Sequence, residues 1–446
     1  MKKLFTTLSN IWKIQELKER ILFTLMILLI YRFLSHVPLP GVDPVMLSNE
    51  AKSGLLGLLD MFAGGAFSKV SIIALGVMPY ISASIVVQLL GIAVPKFQKM
   101  QKEGESGRKK LTEITRYLTV VITIVQAIGY VKTQVPANAI IPGIDPTIFY
   151  ILSTIILTAG TLFVMWLGEK ITDKGIGNGT SLIIMVGIIA RLPHALRQEF
   201  DLRITGDGGP LLIFVEILAL FAVVMFTILI VQGIRKVPVQ YAKRIVGNKQ
   251  VGGVRQYIPL KVNAAGVMPI IFAQALMFLP AAITGFIPSL QNGWLAQFSN
   301  PLSFTYNLTF ALLIIAFTFF YTAITVNPTQ MADDMKKNGG FVPGIKPGVA
   351  TSTFIDDVIS KITFPGAFFL AIIAILPSIA NKANVGQEFA QFFGGTSLLI
   401  LVGVVLDTLQ QIESYLLMRH YDGLMKTGRV TGRTGIPAAG TSNAPL

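Results

Sequence analysis

The chain has 446 residues, of which 52% are hydrophobic and only 13% are charged, and its mean hydropathy is +0.65. Soluble domains carry about 25% charged residues, so this composition excludes a soluble globular protein and indicates an integral membrane protein. The net charge of +14 suggests either nucleic-acid binding or a charge bias of membrane loops, and the absence of cysteine excludes disulfides and thiolate metal sites.

Ten stretches of the chain are predicted to cross a bilayer, which takes about 20 residues of helix. The segment before them, 1–20, is basic and amphipathic and is expected to lie along the membrane surface. The segment after them, 427–446, is rich in Gly, Thr, Pro and Ala and is expected to be a disordered tail. No loop between the spans is long enough to be expected to have a core of its own. The predicted spans are 21–37, 70–92, 117–135, 148–167, 178–193, 210–232, 264–288, 304–326, 364–380 and 397–418.

Two apolar pieces near the start of the chain face each other across a glycine pair, Gly64 and Gly65. The first piece, 55–62, is too short to cross a bilayer, whereas the second, 70–90, is long enough. Irregular backbone at membrane depth is tolerated only where protein or a water-filled cavity surrounds it. The pattern therefore predicts a short re-entrant helix, 55–68, that enters a cavity. The alternative is a surface helix that caps the outside of the bundle.

Basic residues are concentrated on one side of the predicted spans. The N-terminal segment, every second loop and the tail hold 29 of the 37 Lys and Arg residues, and the other loops hold seven. By the positive-inside rule, both termini and the loops 94–116, 233–262 and 328–363 are predicted to be cytoplasmic. Membrane topology therefore accounts for the positive charge, and nucleic-acid binding is not needed to explain it.

The number of spans suggests an internal repeat. Ten spans divide into two groups of five, and because five is odd, the second group would insert upside down relative to the first. Inverted repeats of this kind build a pathway at the interface between the halves. The expected fold is an all-α polytopic membrane protein, with a first half at 21–195 and a second half at 196–426. The division rests on the number of spans, since the halves share no visible sequence identity.

Six stretches combine polar loop residues with the starts or ends of apolar helices. They are GVMPYISASIVVQLL (76–90), KEGESGRKK (102–110), MWLGEKITDKGIGNGTS (165–181), PLKVNAAGVMP (259–269), FYTAITVNPTQMADDMKKNGGFVPGIKPG (320–348) and GGTSLLILVGVVLD (394–407). In this order and at these intervals they resemble the SecY family, whose members form the central channel of the bacterial protein translocase. The resemblance implies a ten-helix clamshell with an hourglass pore, a plug and a lateral gate that opens to lipid.

The resemblance implies a role for a stripe of aliphatic residues within the second span. Val77, Ile81 and Ile85 recur at a spacing that places them on one face of a helix. On residue pattern alone, such a stripe faces lipid or the protein core. The resemblance implies that Val77 and Ile81 join three later isoleucines in a ring at the pore waist, where a narrow apolar constriction excludes water and ions. The ring residues are Val77, Ile81, Ile184, Ile271 and Ile400.

The resemblance also assigns the re-entrant helix as the plug and places a lateral gate among the second, third, seventh and eighth helices. Amides in or beside apolar windows need partners, so they either latch this gate or simply join neighbouring helices. The plug residues are Leu55, Leu58, Leu59, Met61, Phe62, Gly64, Gly65 and Phe67. The gate amides are Gln88, Gln126, Asn263 and Gln274.

Enzyme signatures are missing from the sequence: it has no phosphate-binding GxxxxGK[ST], no GxSxG and no HExxH, and its three histidines are scattered. No cofactor is therefore expected. The charged groups within apolar windows, Arg32, Glu216 and Asp407, lie toward window ends, where snorkelling relieves their cost. Two classes remain, a passive polypeptide channel driven by partners and a secondary transporter for a small solute. The aliphatic waist and the large basic loops favour the channel.

The resemblance implies a docking platform on two loops for the ribosome, through rRNA phosphates, and for the SecA motor. The loop 233–262 has seven basic residues and no acid, although the topology rule alone would also place positive charge there. The resemblance further implies the small membrane subunits SecE and SecG, signal peptides and nascent chains as partners, and the bacterial plasma membrane as location. The docking residues are Arg235, Lys243, Arg244, Lys249, Arg255 and Lys346, the last at a position where relatives commonly have arginine.

Overall fold

The computed structural model describes residues 14–43, 60, 63–143, 145–205, 209–241, 244–246, 249–251, 255–274, 276, 277, 297, 300 and 302–426. Most of them are helical, as the apolar composition predicts, because a helix satisfies its own backbone hydrogen bonds inside lipid. The tail 427–446 and the first thirteen residues lie outside the described part of the chain.

Twelve α-helices of the described part are numbered here in chain order. The seventh predicted span is described only near its start, where residues 268–274 are helical. The helices are α1 (Gln15–Leu34), α2 (Met78–Ala93), α3 (Pro95–Lys102), α4 (Glu105–Gln134), α5 (Pro146–Lys174), α6 (Gly179–Thr205), α7 (Gly209–Gln232), α8 (Phe304–Thr325), α9 (Pro328–Lys337), α10 (Val349–Lys382), α11 (Gln387–Ala390) and α12 (Gly395–Lys426).

Seven of these helices are long and apolar enough to cross a membrane, namely α4 to α8, α10 and α12. The pair α2 and α3, bent by 102°, could supply an eighth span. Helix α1 begins with charged turns, but beyond them it exposes large apolar side chains such as Leu29 and Phe33, as a lipid-facing helix does. The chain is therefore a multi-pass membrane protein, as predicted.

Three boundaries differ from the prediction. The second span does not begin at Val70, because residues 63–77 form turns and the helix starts at Met78. The predicted division between the halves at 195 and 196 falls inside α6, which continues to Thr205. Residues 15–20, predicted to lie along the membrane surface, instead continue directly into the first span as the start of α1.

The two long loops, 233–262 and 328–363, share one small sheet. Strands β1 (Ile234–Tyr241), β2 (Arg244–Val246), β3 (Lys249–Val251) and β4 (Arg255–Lys261) lie in the first loop, and β5 (Gly340–Phe341) lies in the second. Strand β1 is the centre of an antiparallel sheet with the order β4–β1–β5, while β2 and β3 form a separate hairpin.

This sheet has an apolar core, which corrects the prediction that no loop would have one. Val237 and Val239 on β1 and Leu260 on β4 are buried together with Val342 and with residues of α9 and α10. Burial alternates along β1, since Lys236 and Pro238 are exposed whereas Val237 and Val239 are buried. An antiparallel sheet that covers one face with helices produces this alternation.

The membrane part has two apolar clusters. The first is built mostly from α1, the turns at 63–77 and helices α4, α5 and α6. The second is built from α7, the helix that starts at 268, α8 and α10. Helix α12 contributes to both, since Ile400 belongs to the first cluster and Leu399 to the second. It therefore lies between them.

Candidate functional site

The five residues assigned to the ring lie in one apolar cluster. Val77, Ile184 and Ile400 are buried, with exposed fractions of 5%, 6% and 4%. Ile81 and Ile271 are partly buried and pack against the same cluster. These side chains come from four helical segments that are far apart in the sequence, and all five lie in this large cluster or pack against it.

Local sequence explains how α2 presents its part of this cluster. Gly76 has a φ of +55°, a conformation that favours glycine, and it reverses the chain just before the helix. Val77 caps the helix, and Pro79 lies in the first turn, where a missing N–H costs nothing. The Ile81 N–H donates to the Val77 carbonyl at 3.0 Å, so Val77, Ile81 and the buried Ile85 follow one face.

The predicted plug is described at Asp60 and at its C-terminal end, 63–68. The glycine pair has positive φ angles, +65° at Gly64 and +87° at Gly65, as a tight turn requires. Phe67 is buried, and its ring packs edge-on against Tyr130 of α4, with 4.7 Å between ring centroids. Leu55, Leu58, Leu59, Met61 and Phe62 lie outside the described residues.

Two of the three charged groups predicted to snorkel are instead paired inside the protein. Arg32 Nη1 donates a 2.6 Å hydrogen bond to the carbonyl of Gly64. Glu216 on α7 is buried and accepts a hydrogen bond from Arg203 on α6. Asp407 on α12 is exposed.

Arg203 is the centre of a buried polar network. It donates to Glu199 at 3.0 Å, to Glu216 at 2.5 Å and to the carbonyl of Asn384 at 2.8 Å. Glu199 also accepts the N–H of Gly386 at 2.8 Å. The network therefore ties α6 to α7 and to the connection between α10 and α11.

The predicted gate amides are not joined to one another by any described contact. Gln88 donates to Ser84 of its own helix at 3.1 Å, and Gln274 hydrogen-bonds Tyr306 of α8. Gln126 is half-buried. Asn263 is buried, and its side-chain oxygen has no partner among the described residues.

The predicted docking residues of the first loop follow the strands. Arg235 lies on β1 opposite Leu260 of β4, and its side chain is exposed. Arg244, Lys249 and Arg255 begin β2, β3 and β4, whereas Lys243 lies outside the described residues.

Lys346 lies in the second loop, in a turn between β5 and α10. Its side chain is exposed, and its carbonyl accepts a 2.9 Å hydrogen bond from the Thr351 hydroxyl. Gly344 and Gly348 on either side have φ angles of +85° and +106°. Because β5 pairs with β1 and β1 pairs with β4, Lys346 follows a strand of the same sheet that carries Arg235 and Arg255.

The sequence prediction missed this sheet, the buried network of Arg203 and the hydrogen bond from Arg32 to the Gly64 carbonyl. The alternation of Val237 and Val239 with exposed residues is a local strand signal that was available. The pairing of β1 with β5 and the contacts of Arg32 and Arg203 join distant segments, and no local pattern reports them.

The SecY family model matches residues 71–409 of this chain. A relative from Halalkalibacterium halodurans, named as a protein translocase subunit SecY, is 44% identical over 438 residues, covering 95% of this chain and 100% of the relative. The matched region includes every predicted ring, gate and docking residue.

Solved structures share the fold. A structure described as that of a protein-conducting channel matches with a TM-score of 0.63 at 18% identity, covering 89% of this chain and 92% of the other. Sec61 in a canine ribosome-channel complex from the endoplasmic reticulum matches with a TM-score of 0.58 at 16% identity, with the same coverage. On the family model and the full-length relative together, the chain belongs to the SecY family.

Proposed function

We propose that this chain is the protein-conducting subunit of a bacterial translocase, which passes unfolded secretory polypeptides across the plasma membrane. It also releases the apolar helices of membrane proteins sideways into lipid. The observation that carries this proposal is the clustering of five aliphatic side chains from distant helical segments, two of them only partly buried. The channel performs no chemistry of its own, and partners supply the energy.

The five side chains form the waist of the pore. Branched aliphatic groups offer water and ions no hydrogen bonds, so a narrow ring of them stays dry when closed. They also pack around a passing chain without selecting its sequence. Ile400 supports this role because α12 lies between the two apolar clusters, where a pathway between two halves would run.

Residues 55–68 form the plug that closes this waist. The tight turn at Gly64 and Gly65 and the burial of Phe67 support a compact element seated against α4 and α6. Irregular backbone at this depth needs protein around it, and the turns at 63–77 are largely buried.

Gln88, Gln126, Asn263 and Gln274 form the polar lining of the lateral gate. Buried Asn263 supports this role, because its side-chain oxygen has no partner among the described residues and a buried amide without a partner destabilises the closed arrangement. A signal peptide helix that enters the gate would displace such weakly held contacts at little cost.

The β-sheet unit is the docking platform. We place it and both termini in the cytoplasm, because the basic loops lie there by the positive-inside rule. Exposed Arg235 and Lys346 suit phosphate and carboxylate partners. The ribosome and the SecA motor dock here, and the small subunits SecE and SecG pack against the membrane helices.

The chain divides into two inverted halves that open as a clamshell, with the division after Thr205 and not at 195. The length of α6, which continues past residue 195 to Thr205, supports this division.

Depletion of the protein in its host tests the proposed function. We expect export of many signal-bearing proteins to stop together, with their precursors accumulating in the cytoplasm. A defect restricted to uptake of one nutrient, with export unchanged, would instead indicate a small-solute transporter.

A further inference from the structure

The turn that ends the proposed plug is held by its backbone carbonyls. The hydroxyl of Tyr31 donates to the Ala63 carbonyl at 3.4 Å, and Arg32 donates to the Gly64 carbonyl at 2.6 Å. The hydroxyl of Tyr130 donates to the Phe67 carbonyl at 2.6 Å. Side chains from α1 and α4 therefore clamp three carbonyls of one short turn.

Asp60 fixes the same turn from the inside. Its carboxylate accepts the N–H of Ser68 at 2.7 Å, and its carbonyl accepts the N–H of Gly65 at 2.9 Å. The side chain is fully buried and forms an ion pair with Arg191 of α6. This ion pair is the one described contact between charged side chains that joins the turn to a membrane helix.

One face of α6 carries three features of the closed channel. Ile184 is assigned to the ring, Gly187 lies against the turn at Gly64, and Arg191 forms the ion pair with Asp60. These positions are three and four residues apart, so they follow one side of the helix. A Cβ placed on Gly64 would lie only 2.8 Å from the Cα of Gly187, which shows how closely the turn sits against α6.

The charged side chains near the turn carry a net positive charge. Lys69 interacts with Asp60, Arg32 and Arg191, and Arg32 also interacts with Arg191. Two cations, Arg191 and Lys69, therefore interact with one carboxylate, and a third, Arg32, lies near both of them. If the carboxylate loses its charge, the three cations repel one another, whereas loss of the Arg191 charge leaves Asp60 with Lys69 as its cationic neighbour.

We propose that the ion pair between Asp60 and Arg191 is the latch that holds the plug against α6 and sets how readily a signal peptide opens the channel. The inference rests on the proposed role of 55–68 as the plug. Removing one partner of a buried ion pair leaves an uncompensated buried charge, which is strongly destabilising. Separating Asp60 from Arg191 therefore costs more free energy than breaking an exposed contact would. Asp60 and Arg191 are thus positioning residues for gating.

The test measures ion conductance of the purified channel complex in planar bilayers, without substrate, for Arg191→Gln and Asp60→Asn. Arg191→Lys keeps the charge, and Arg197→Gln removes an exposed arginine from the same helix as a matched control. A deletion of 62–67 reports whether the plug closes the pore at all. Thermal unfolding of each complex is measured in parallel.

We expect Arg191→Gln to raise the closed-channel conductance by about tenfold or more, since each 1.4 kcal/mol lost from the closed state shifts the equilibrium tenfold. Asp60→Asn should raise it further, because three cations then repel one another. Arg191→Lys and Arg197→Gln should remain near the unsubstituted level.

Three results would contradict the latch or its basis. If the deletion leaks but Arg191→Gln does not, the latch is wrong while the plug stands. If the deletion itself does not leak, the plug assignment fails and the latch fails with it. If Arg191→Gln lowers the unfolding temperature without changing conductance, the ion pair is structural only and does not control gating.

Discussion

Arg203 of α6 donates a 2.5 Å hydrogen bond to Glu216 of α7, and both side chains are buried. The pair lies on either side of the connection between the two proposed halves, since α6 ends at Thr205 and α7 begins at Gly209. The same arginine reaches the carbonyl of Asn384, which lies just beyond the end of α10. One guanidinium therefore joins three segments of the channel.

Arg203→Ala should destabilise the protein by about 3–5 kcal/mol, because it leaves two buried carboxylates without their cation. The measurement is the free energy of unfolding of the purified complex in mild detergent. Arg197→Ala, an exposed arginine on the same helix, is the control and should change it by less than about 0.5 kcal/mol. Equal effects of the two substitutions would show that the network adds no stability.

Cysteine placed at Asn248 tests the orientation, since the chain has no cysteine of its own. Asn248 lies between β2 and β3 in the sequence, in the loop predicted to be cytoplasmic. We expect a membrane-impermeant thiol reagent to label it only after cells are opened. Labelling from outside intact spheroplasts would reverse the topology.

Ile81→Gly together with Ile184→Gly should loosen the closed pore, because both side chains pack in the ring cluster. We expect a larger ion leak and acceptance of proteins with defective signal sequences, since the population of the open state rises relative to that of the closed state. Leu29→Gly, at an exposed position of α1, should change neither readout. An unchanged leak and unchanged signal stringency in the double variant would remove both residues from the ring.

Lys346→Glu should impair translocation while leaving the abundance of the channel normal, because the side chain is exposed and its charge would be reversed toward an anionic partner. Lys346→Arg should be tolerated. Ribosome binding and motor-driven transport are measured separately. If charge reversal at Lys346, and separately at Arg244 with Lys249, left both intact, the docking platform would have to lie elsewhere.

How much of the molecule the sequence predicts depends on whether a feature is local. The apolar windows and the stripe of Val77, Ile81 and Ile85 are local patterns, and α2 shows that stripe as predicted. The predicted start of the second span at residue 70 is wrong, because hydropathy alone does not separate the buried turns before Met78 from the apolar helix.

Contacts between distant segments could not be read from the sequence. Gln240 of β1 lies opposite Phe341 of β5, which joins the two long loops, and only the fold brings these residues together. The same holds for Arg32, which lies near the end of an apolar window and would be expected to reach the membrane surface. In the structure it finds a closer acceptor in the carbonyl of Gly64.

The central claim, that polypeptides pass through the ring, is tested most directly by site-specific photocrosslinking. A photoreactive amino acid is placed at Ile81 or Ile271, and a secretory protein is arrested partway through the channel. The control position is Leu218 on α7, an aliphatic residue with 59% of its surface exposed on the outside of the bundle. We expect crosslinks to the arrested chain from both ring positions and none from Leu218. Crosslinks from Leu218 alone, or from none of the three positions, would contradict a pathway through the ring.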